Sequence, residues 1–587
     1  MDIMEYLDRY GPMRSMNELK MIRSLDYQQI ALLPFFVYVG EVVREEPHFP
    51  SLQNITKYGK HTVMATGHVP FYERKGDQNG YLGYPCRHDL RYAFSYGQRL
   101  QAGVIGAQDA GEPFFSNRNK LGYDFYSFYV VLRDIKCLKA LALGRYRLNV
   151  GMGLVLNNSF LLGKAWAIAS LGANRNAIRP YASRSQANHL QGAAASVYVS
   201  RNLQLTAFLS LRNIDASLND DGSIATLVNA GYHRTTSEMD RKNNSSQFAA
   251  GMNARFAAAH FSVGATALYT AFNRDLHPDS ATLYRRHNAR GREFWNIGVN
   301  YALLLGPISF HGETATSSGG AFATLNRLAW QVNANLNLTF LQRFYGMKYI
   351  ALLANTLSDG GHVQNESAVY LGFDWKPSRR FSAQAYADLA YHPWARYQAS
   401  LSSHSLDCFS KAAYTLNNNW QLVARYRLRR RQYDNNDKTH LIWKTEHRAR
   451  LAAIWQTDAL NLRTQLDFTQ STFRTKSRGW MLGEHAVWTL RRSTKLAGNI
   501  AWFHTDDYDS RIYVYERGVL YDFSMPAFYG EGIRYSLMVS HQFNKHLSLT
   551  GKLGVTDYFD RSTMGTGYQQ VNGSSMTDLL LQLRLKL

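Results

Sequence analysis

The last seven residues, Leu581-Gln-Leu-Arg-Leu-Lys-Leu587, alternate without exception. Four leucines point one way, and Gln582, Arg584 and Lys586 point the other. A period of two is the signature of a β-strand. One fully aliphatic face and one charged face at the extreme C-terminus suit the closing strand of a membrane β-barrel, with lipid outside and a wet lumen within. An edge strand of a soluble sandwich shows the same alternation and is the competing reading.

The rest of the chain favours the barrel. Mean hydropathy is −0.34, and no stretch approaches the ~20 consecutive apolar residues that a membrane helix requires. A chain of this kind crosses a bilayer only as closed strands, which satisfy their backbone groups on one another. The 37 Tyr, 30 Phe and 11 Trp supply interfacial girdles, and the 13 Pro are few enough for long paired strands. Cys86, Cys137 and Cys408 are too widely spaced for a metal motif.

Alternating segments recur from residue 60 onward. Examples are Trp330–Phe340, Phe381–Leu389, Trp420–Leu428, Leu460–Phe468 and Tyr535–Phe543. Short connections (Arg201-Asn202, Pro377-Ser378, Asn417–Asn419, Arg492-Ser493, Asn544-Lys545) alternate with longer polar ones. The longer ones are Asp215–Ala225, Thr270–Arg292, Arg430–Lys438, Ser471–Ser477 and Thr556–Ser575. The expected fold is mainly β, a large antiparallel transmembrane barrel of about 18 to 24 strands. Residues 60–587 form it, residues 46–59 read as a linker, and residues 1–45 read as a small helical module.

In that module Ser15 and Glu18 have capping-box spacing. Asp26 opens a second helix that Pro34 should end. The segment reads as a helix-hairpin-helix, too small for a large core of its own.

Several stretches resemble a family of Bacteroidetes outer-membrane proteins. They are Tyr10–Lys20 with Ile30–Val37, Asp109–Phe115, Gly122–Phe128, Gly144–Leu148 with Gly151–Val155, Ile178–Ser183 and Gly231–Glu238. Members of that family carry a periplasmic helix-hairpin-helix domain, similar to that of the competence protein ComEA, ahead of a large barrel. The resemblance implies an outer-membrane location with the helical module in the periplasm. The N-terminus shows no basic, apolar export signal, so the chain is expected to begin downstream of one. Helix-hairpin-helix modules commonly hold nucleic-acid backbone through a glycine-containing hairpin. Here the hairpin reads Ile22-Arg-Ser-Leu-Asp26, without glycine. Arg14, Lys20 and Arg23 remain as phosphate or partner contacts, and a structural or docking role is favoured over DNA binding.

The net charge of +22 favours anionic partners such as lipid headgroups, lipopolysaccharide or nucleic acid. Alternation places Arg425, Arg427 and Arg429 on the face opposite Tyr426 and Leu428, hence in the lumen. Arg448, Arg450 and Arg463 are expected to join them as an anion-binding surface. For catalysis, His233 with Glu238 and His260 with Ser262 are the available pairings. The chain has no GxSxG elbow and no HExxH, so no catalytic, cofactor or metal residues are assigned. Glu112, Arg234 and Glu238 read as lumenal ion pairs. Fewer than 60 residues precede the expected barrel here, so a plug of the TonB-dependent receptor type is not expected.

The leading function is non-enzymatic: an outer-membrane channel, transporter or envelope component whose module docks a periplasmic protein or gates the mouth. Nucleic-acid uptake through the basic lumen is the alternative, and an outer-membrane hydrolase the third.

Overall fold

The computed structural model describes residues 3, 6, 13, 16–22, 25–37, 49–159, 163–165, 171 and 177–587. Twenty-four antiparallel strands form one closed barrel, the upper end of the expected range. The first barrel strand, Lys60–Pro70, pairs with the last, Ser575–Lys586, in the register Ala65↔Leu583 and Gly67↔Leu581. Closure leaves no edge unpaired. Two short strands, Ala177–Pro180 and Ile224–Val228, add to the sheet beside the ring.

Strand faces follow the alternation. Leu581 and Leu583 are exposed on the outside, whereas Gln582 between them is buried. Leu371, Leu389, Leu451, Leu482, Ile500 and Leu537 likewise cover the exterior. Tryptophans sit at two levels of that surface. Trp330, Trp375, Trp420 and Trp488 lie toward the end that holds the short turns. Trp295, Trp443, Trp480 and Trp502 lie toward the opposite end. An apolar band between two aromatic girdles is what a bilayer selects.

Connections differ between the two ends. All five short turns named above join strands at the same end as the two termini. At the other end, strands run further than the polarity pattern implied. Leu460–Phe473 and Thr475–Arg491 leave only Arg474, at φ 58°, as the turn. The expected loop at Ser471–Ser477 is therefore paired strand. Its polar residues form a ladder above the apolar band.

In the N-terminal region, Met16–Met21 is a 3-10 helix and Tyr27–Leu32 an α-helix. Asp26 caps the latter: its side chain accepts the Gln29 amide at 2.8 Å, and the Gln29 side chain accepts the Asp26 amide at 3.0 Å. Tyr6, Leu19 and Ile22 form a small apolar core. Lys20 is exposed, while Arg14, Ser15 and Arg23 lie outside the described residues. A further helix, Leu52–Tyr58, lies within the span read as linker, capped by Ser51. The module meets the barrel at the short-turn end, where Arg379 pairs with Asp26 at 3.0 Å.

Candidate functional site: lumenal charges and inward-folded connections

Three connections from the long-loop end turn inward and occupy the lumen. The first follows the strand Leu138–Asn149. Val150, Met152, Leu154, Val155 and Leu156 are buried, packed in one cluster with Tyr345, Tyr349, Leu353 and Leu357. Glu313, on the wall strand Ile308–Ser317, holds this turn. Its Oε2 accepts the amide of Met152 at 2.6 Å and of Leu154 at 3.1 Å. Gly151 and Gly153 permit the turn, with φ values of 57° and 92°. A Cβ on Gly151 would stand 2.8 Å from Glu313 Oε2. Gly151 and Gly153 thus have a mechanical role that one strand's sequence does not show.

The second inward segment lies between Tyr345 and Glu366. It zips against the first through backbone and amide groups. The Asn157 amide donates to Leu353 O at 3.0 Å, and the Asn355 amide donates to Gly153 O at 3.1 Å. Tyr349 Oη donates to Leu154 O at 2.9 Å, and Asn355 Nδ2 to Ser159 O at 2.7 Å. These contacts satisfy backbone groups of both segments inside the barrel, away from any sheet.

The third lies between Thr505 and Glu531. Glu516 is buried and accepts from Arg534 at 2.8 Å and Lys552 at 2.9 Å, both on the wall. Leu520 exchanges backbone hydrogen bonds with the Gln582 side chain at 3.2 and 2.8 Å. Tyr521 lies against the Arg91 guanidinium, 4.2 Å from ring centre. A cavity of about 150 Å³ remains beside Glu516, bordered by Arg450, Arg463 and His485.

A charge network ties the first two segments to the wall. Lys164 Nζ, from the first connection, meets Asp359 at 2.9 Å, Asp388 at 2.6 Å and Asp407 at 3.2 Å. Arg343 binds Asp388 at 2.7 Å and also pairs with Glu366. Arg431 binds Asp359 at 2.7 Å, and Arg427 binds Asp407 at 2.6 Å. Four cations thus meet four carboxylates, so the network balances itself. Burial lowers the hold of Lys164 on its proton, but the three aspartates outweigh that and set its pKa above the ordinary lysine value. Burial likewise opposes ionisation of Asp359. His392, 3.6 Å away, and the charges of Lys164 and Arg431 outweigh it, keeping the carboxylate ionised far below the usual range.

The expected arginine cluster is in the lumen, but its members differ. Arg427 is neutralised by Asp407. Arg425 lies over the Phe409 ring at 5.2 Å, and Arg429 keeps a buried, unpartnered Nε. Arg450 pairs with Asp467 at 2.6 Å, Arg448 meets Glu446 at 3.9 Å, and Arg463 Nε is unpartnered. An uninterrupted ring of free guanidiniums is therefore not present, because wall carboxylates interleave with it.

At the long-loop end the two motifs Asp109–Phe115 and Gly231–Glu238 come together. Glu112 accepts the amides of Asp109 at 2.7 Å and His233 at 3.0 Å. His233 Nδ1 meets Asp124 at 2.6 Å and Nε2 meets Asp215 at 2.9 Å. Lys242 adds a 2.6 Å contact to Asp124. Burial disfavours the imidazolium, yet the two carboxylates raise the His233 pKa to about 9. Burial, with Asp124 and Asp109 nearby, pushes Glu112 up to about 8. Glu112, Asp124 and His233 offer ligand atoms within 4.8 Å of one another. Both ring nitrogens of His233 already face carboxylates and Lys242 holds Asp124, so the geometry is that of an ion-pair network. Glu238 pairs with Arg234 at 2.7 Å, not with His233. Ser262 receives a 3.4 Å hydrogen bond from Arg255. Neither pairing considered for catalysis forms.

No family model and no curated relative matches the chain. Among solved structures it is similar to the siderophore receptor PirA from Pseudomonas aeruginosa, with 9% identity and a TM-score of 0.43 over 90% of this chain and 80% of that one. It is also similar to the ferric enterobactin receptor PfeA of that organism, with 10% identity and a TM-score of 0.41 over the same shares. PirA from Acinetobacter baumannii gives 6% identity and a TM-score of 0.41, again over 90% and 80%. Likeness at this level does not bear on function. The class of protein, a large closed β-barrel of the membrane-spanning type, rests on the strand pairing and the apolar exterior.

Proposed function

We propose that this chain is a non-enzymatic outer-membrane transporter or channel whose resting lumen is shut by its own inward-folded connections. Solute passes when those connections move. The observation that carries the reading is the interlock of residues 150–159 with the segment between Tyr345 and Glu366, held by Lys164 against Asp359 of that segment and the wall residues Asp388 and Asp407. A passive open pore has no use for such a closure. The long-loop end faces the exterior, following the pattern of short periplasmic turns and longer outer loops.

In this reading residues 1–45 are the periplasmic helix-hairpin-helix module of the Bacteroidetes family that the motifs resemble. Residues 46–59 connect it to the barrel at 60–587. The Asp26–Arg379 contact at the short-turn mouth supports a docking or gating role there. Reconstitution of the full chain in planar bilayers tests the proposal. Wild type is expected to show little steady conductance, and Glu516→Ala or Lys164→Ala is expected to produce frequent openings. A large steady conductance in the wild type would overturn it.

A second reading has one observation in its favour: Arg425, Arg429 and Arg463 lack carboxylate partners among the described residues. They suit an anionic solute, including nucleic acid. A gel shift of the detergent-solubilised chain with duplex DNA should then weaken steeply with salt. No shift at micromolar protein would end that version.

A further inference from the structure

We infer that the barrel carries a binding site for a lipid phosphate on its outer surface, centred on Arg430. Alternation puts Arg430 on the side opposite Arg429 and Arg431, among Tyr426 and Trp443 on the lipid-facing exterior. Its guanidinium carbon lies 4.7 Å from the Trp443 ring centre, which fixes the group against the wall. Its Nε is buried and has no hydrogen-bond partner. No ion pair includes Arg430 among the described residues.

Beside it is a cleft of about 360 Å³, bordered by Val369, Leu389, Tyr391, His404, Leu406 and Trp443. Leu389 and Val369 form an apolar floor, 58% and 44% exposed. His404 and Tyr391 meet at its edge, tilted, with ring centres 4.8 Å apart. The cleft therefore combines an acyl-compatible floor with a cationic rim.

Its height fits a headgroup. Trp420 and Trp455 face one another at the short-turn girdle, ten residues below Arg430 along the strand Trp420–Asp434. At about 3.3 Å per residue and a tilt near 40°, ten residues climb about 25 Å, the full height of the apolar band. Arg430 thus stands where the outer-leaflet phosphates lie. An unpaired arginine at that level would be costly facing acyl chains. It is well placed to hold a phosphate through parallel N–H donors.

The full chain in detergent micelles can be titrated by native mass spectrometry with a phosphorylated outer-leaflet glycolipid, with its dephosphorylated counterpart, and with inorganic phosphate. Wild type should retain the phosphorylated lipid about tenfold more tightly than the dephosphorylated one, the level that one bidentate phosphate contact supplies. Arg430→Ala should reduce binding to the dephosphorylated level, and Arg430→Lys should fall between. Equal retention by wild type and R430A would overturn the site, as would equal binding of the dephosphorylated lipid. Inorganic phosphate that binds Arg430 as tightly as the lipid would overturn the lipid assignment. Heat-modifiable mobility of each variant confirms a folded barrel. Arg430 faces outward, so its loss leaves the lumenal closure in place and the two proposals fail independently.

Discussion

Glu313 reaches from the barrel wall to the backbone of Met152 at 2.6 Å, and this contact ties a wall strand to a chain segment that fills the lumen. The carboxylate takes two amides of one tight turn. The turn in turn anchors the partner segment through Tyr349 and Asn355. Wall and closure are therefore one unit, and single residues should unlatch it.

Glu313→Ala leaves the Met152 and Leu154 amides without their acceptor in a dry site, a cost of ~1–3 kcal/mol. Hydrogen exchange at 150–158 should quicken about tenfold or more, and channel openings should increase. Gly151→Ala should act in the same direction, because its Cβ would press on Glu313 Oε2 at 2.8 Å. Unchanged exchange in both variants would refute the latch.

Lys164→Met removes the one ammonium shared by Asp359, Asp388 and Asp407. Three buried carboxylates then lose a partner at a cost of ~3–5 kcal/mol. Openings in planar bilayers should become frequent. Asp407→Asn added to this variant should restore part of the closure, since it removes one uncompensated charge.

The His233 cluster should loosen with rising pH. Its pKa in the folded chain is about 9, against an ordinary 6.5. The stabilisation is therefore complete below about pH 6.5 and lost as pH rises through 9. Glu112, raised to about 8, titrates in the same sense: its proton is held more tightly when folded, and ionisation above that pH opposes the packed loop. Limited proteolysis of residues 229–244 should accelerate between pH 7 and pH 10, and His233→Gln should flatten that dependence. Tightening with pH would contradict the assignment.

Arg425→Ala with Arg429→Ala should lower anion over cation selectivity, measured as a shift in reversal potential in an opened background such as E516A. Arg427→Ala should act differently. It strips Asp407 of its 2.6 Å partner, and its main effect should be on closure. Equal effects on selectivity from all three would mean that pairing with Asp407 does not matter.

The alternation that ends in Leu587 specified strands and their two faces, and its recurrence between short and long connections pointed to a barrel. Side-chain period is a local property, and the outside of a barrel needs only an unbroken apolar stripe on every strand. The same logic put Arg425, Arg427 and Arg429 inside and Tyr426 outside. It also located the capping Asp26, because a helix start is written in four adjacent residues.

What period two does not encode is which lumenal side chains pair with one another. Arg427 finds Asp407, Lys164 finds three aspartates, and His233 finds Asp124 and Asp215 instead of the nearby Glu238. Those choices are made when strand register sets neighbouring side chains beside one another and the connections fold against the wall. Gly151 and Gly153 gave one signal, a left-handed turn, but the carboxylate that needs it lies on a strand far along the chain. Local pattern determined the wall; only the tertiary structure decided that connections fold inward against it, because backbone groups buried there take partners supplied by residues distant in the chain.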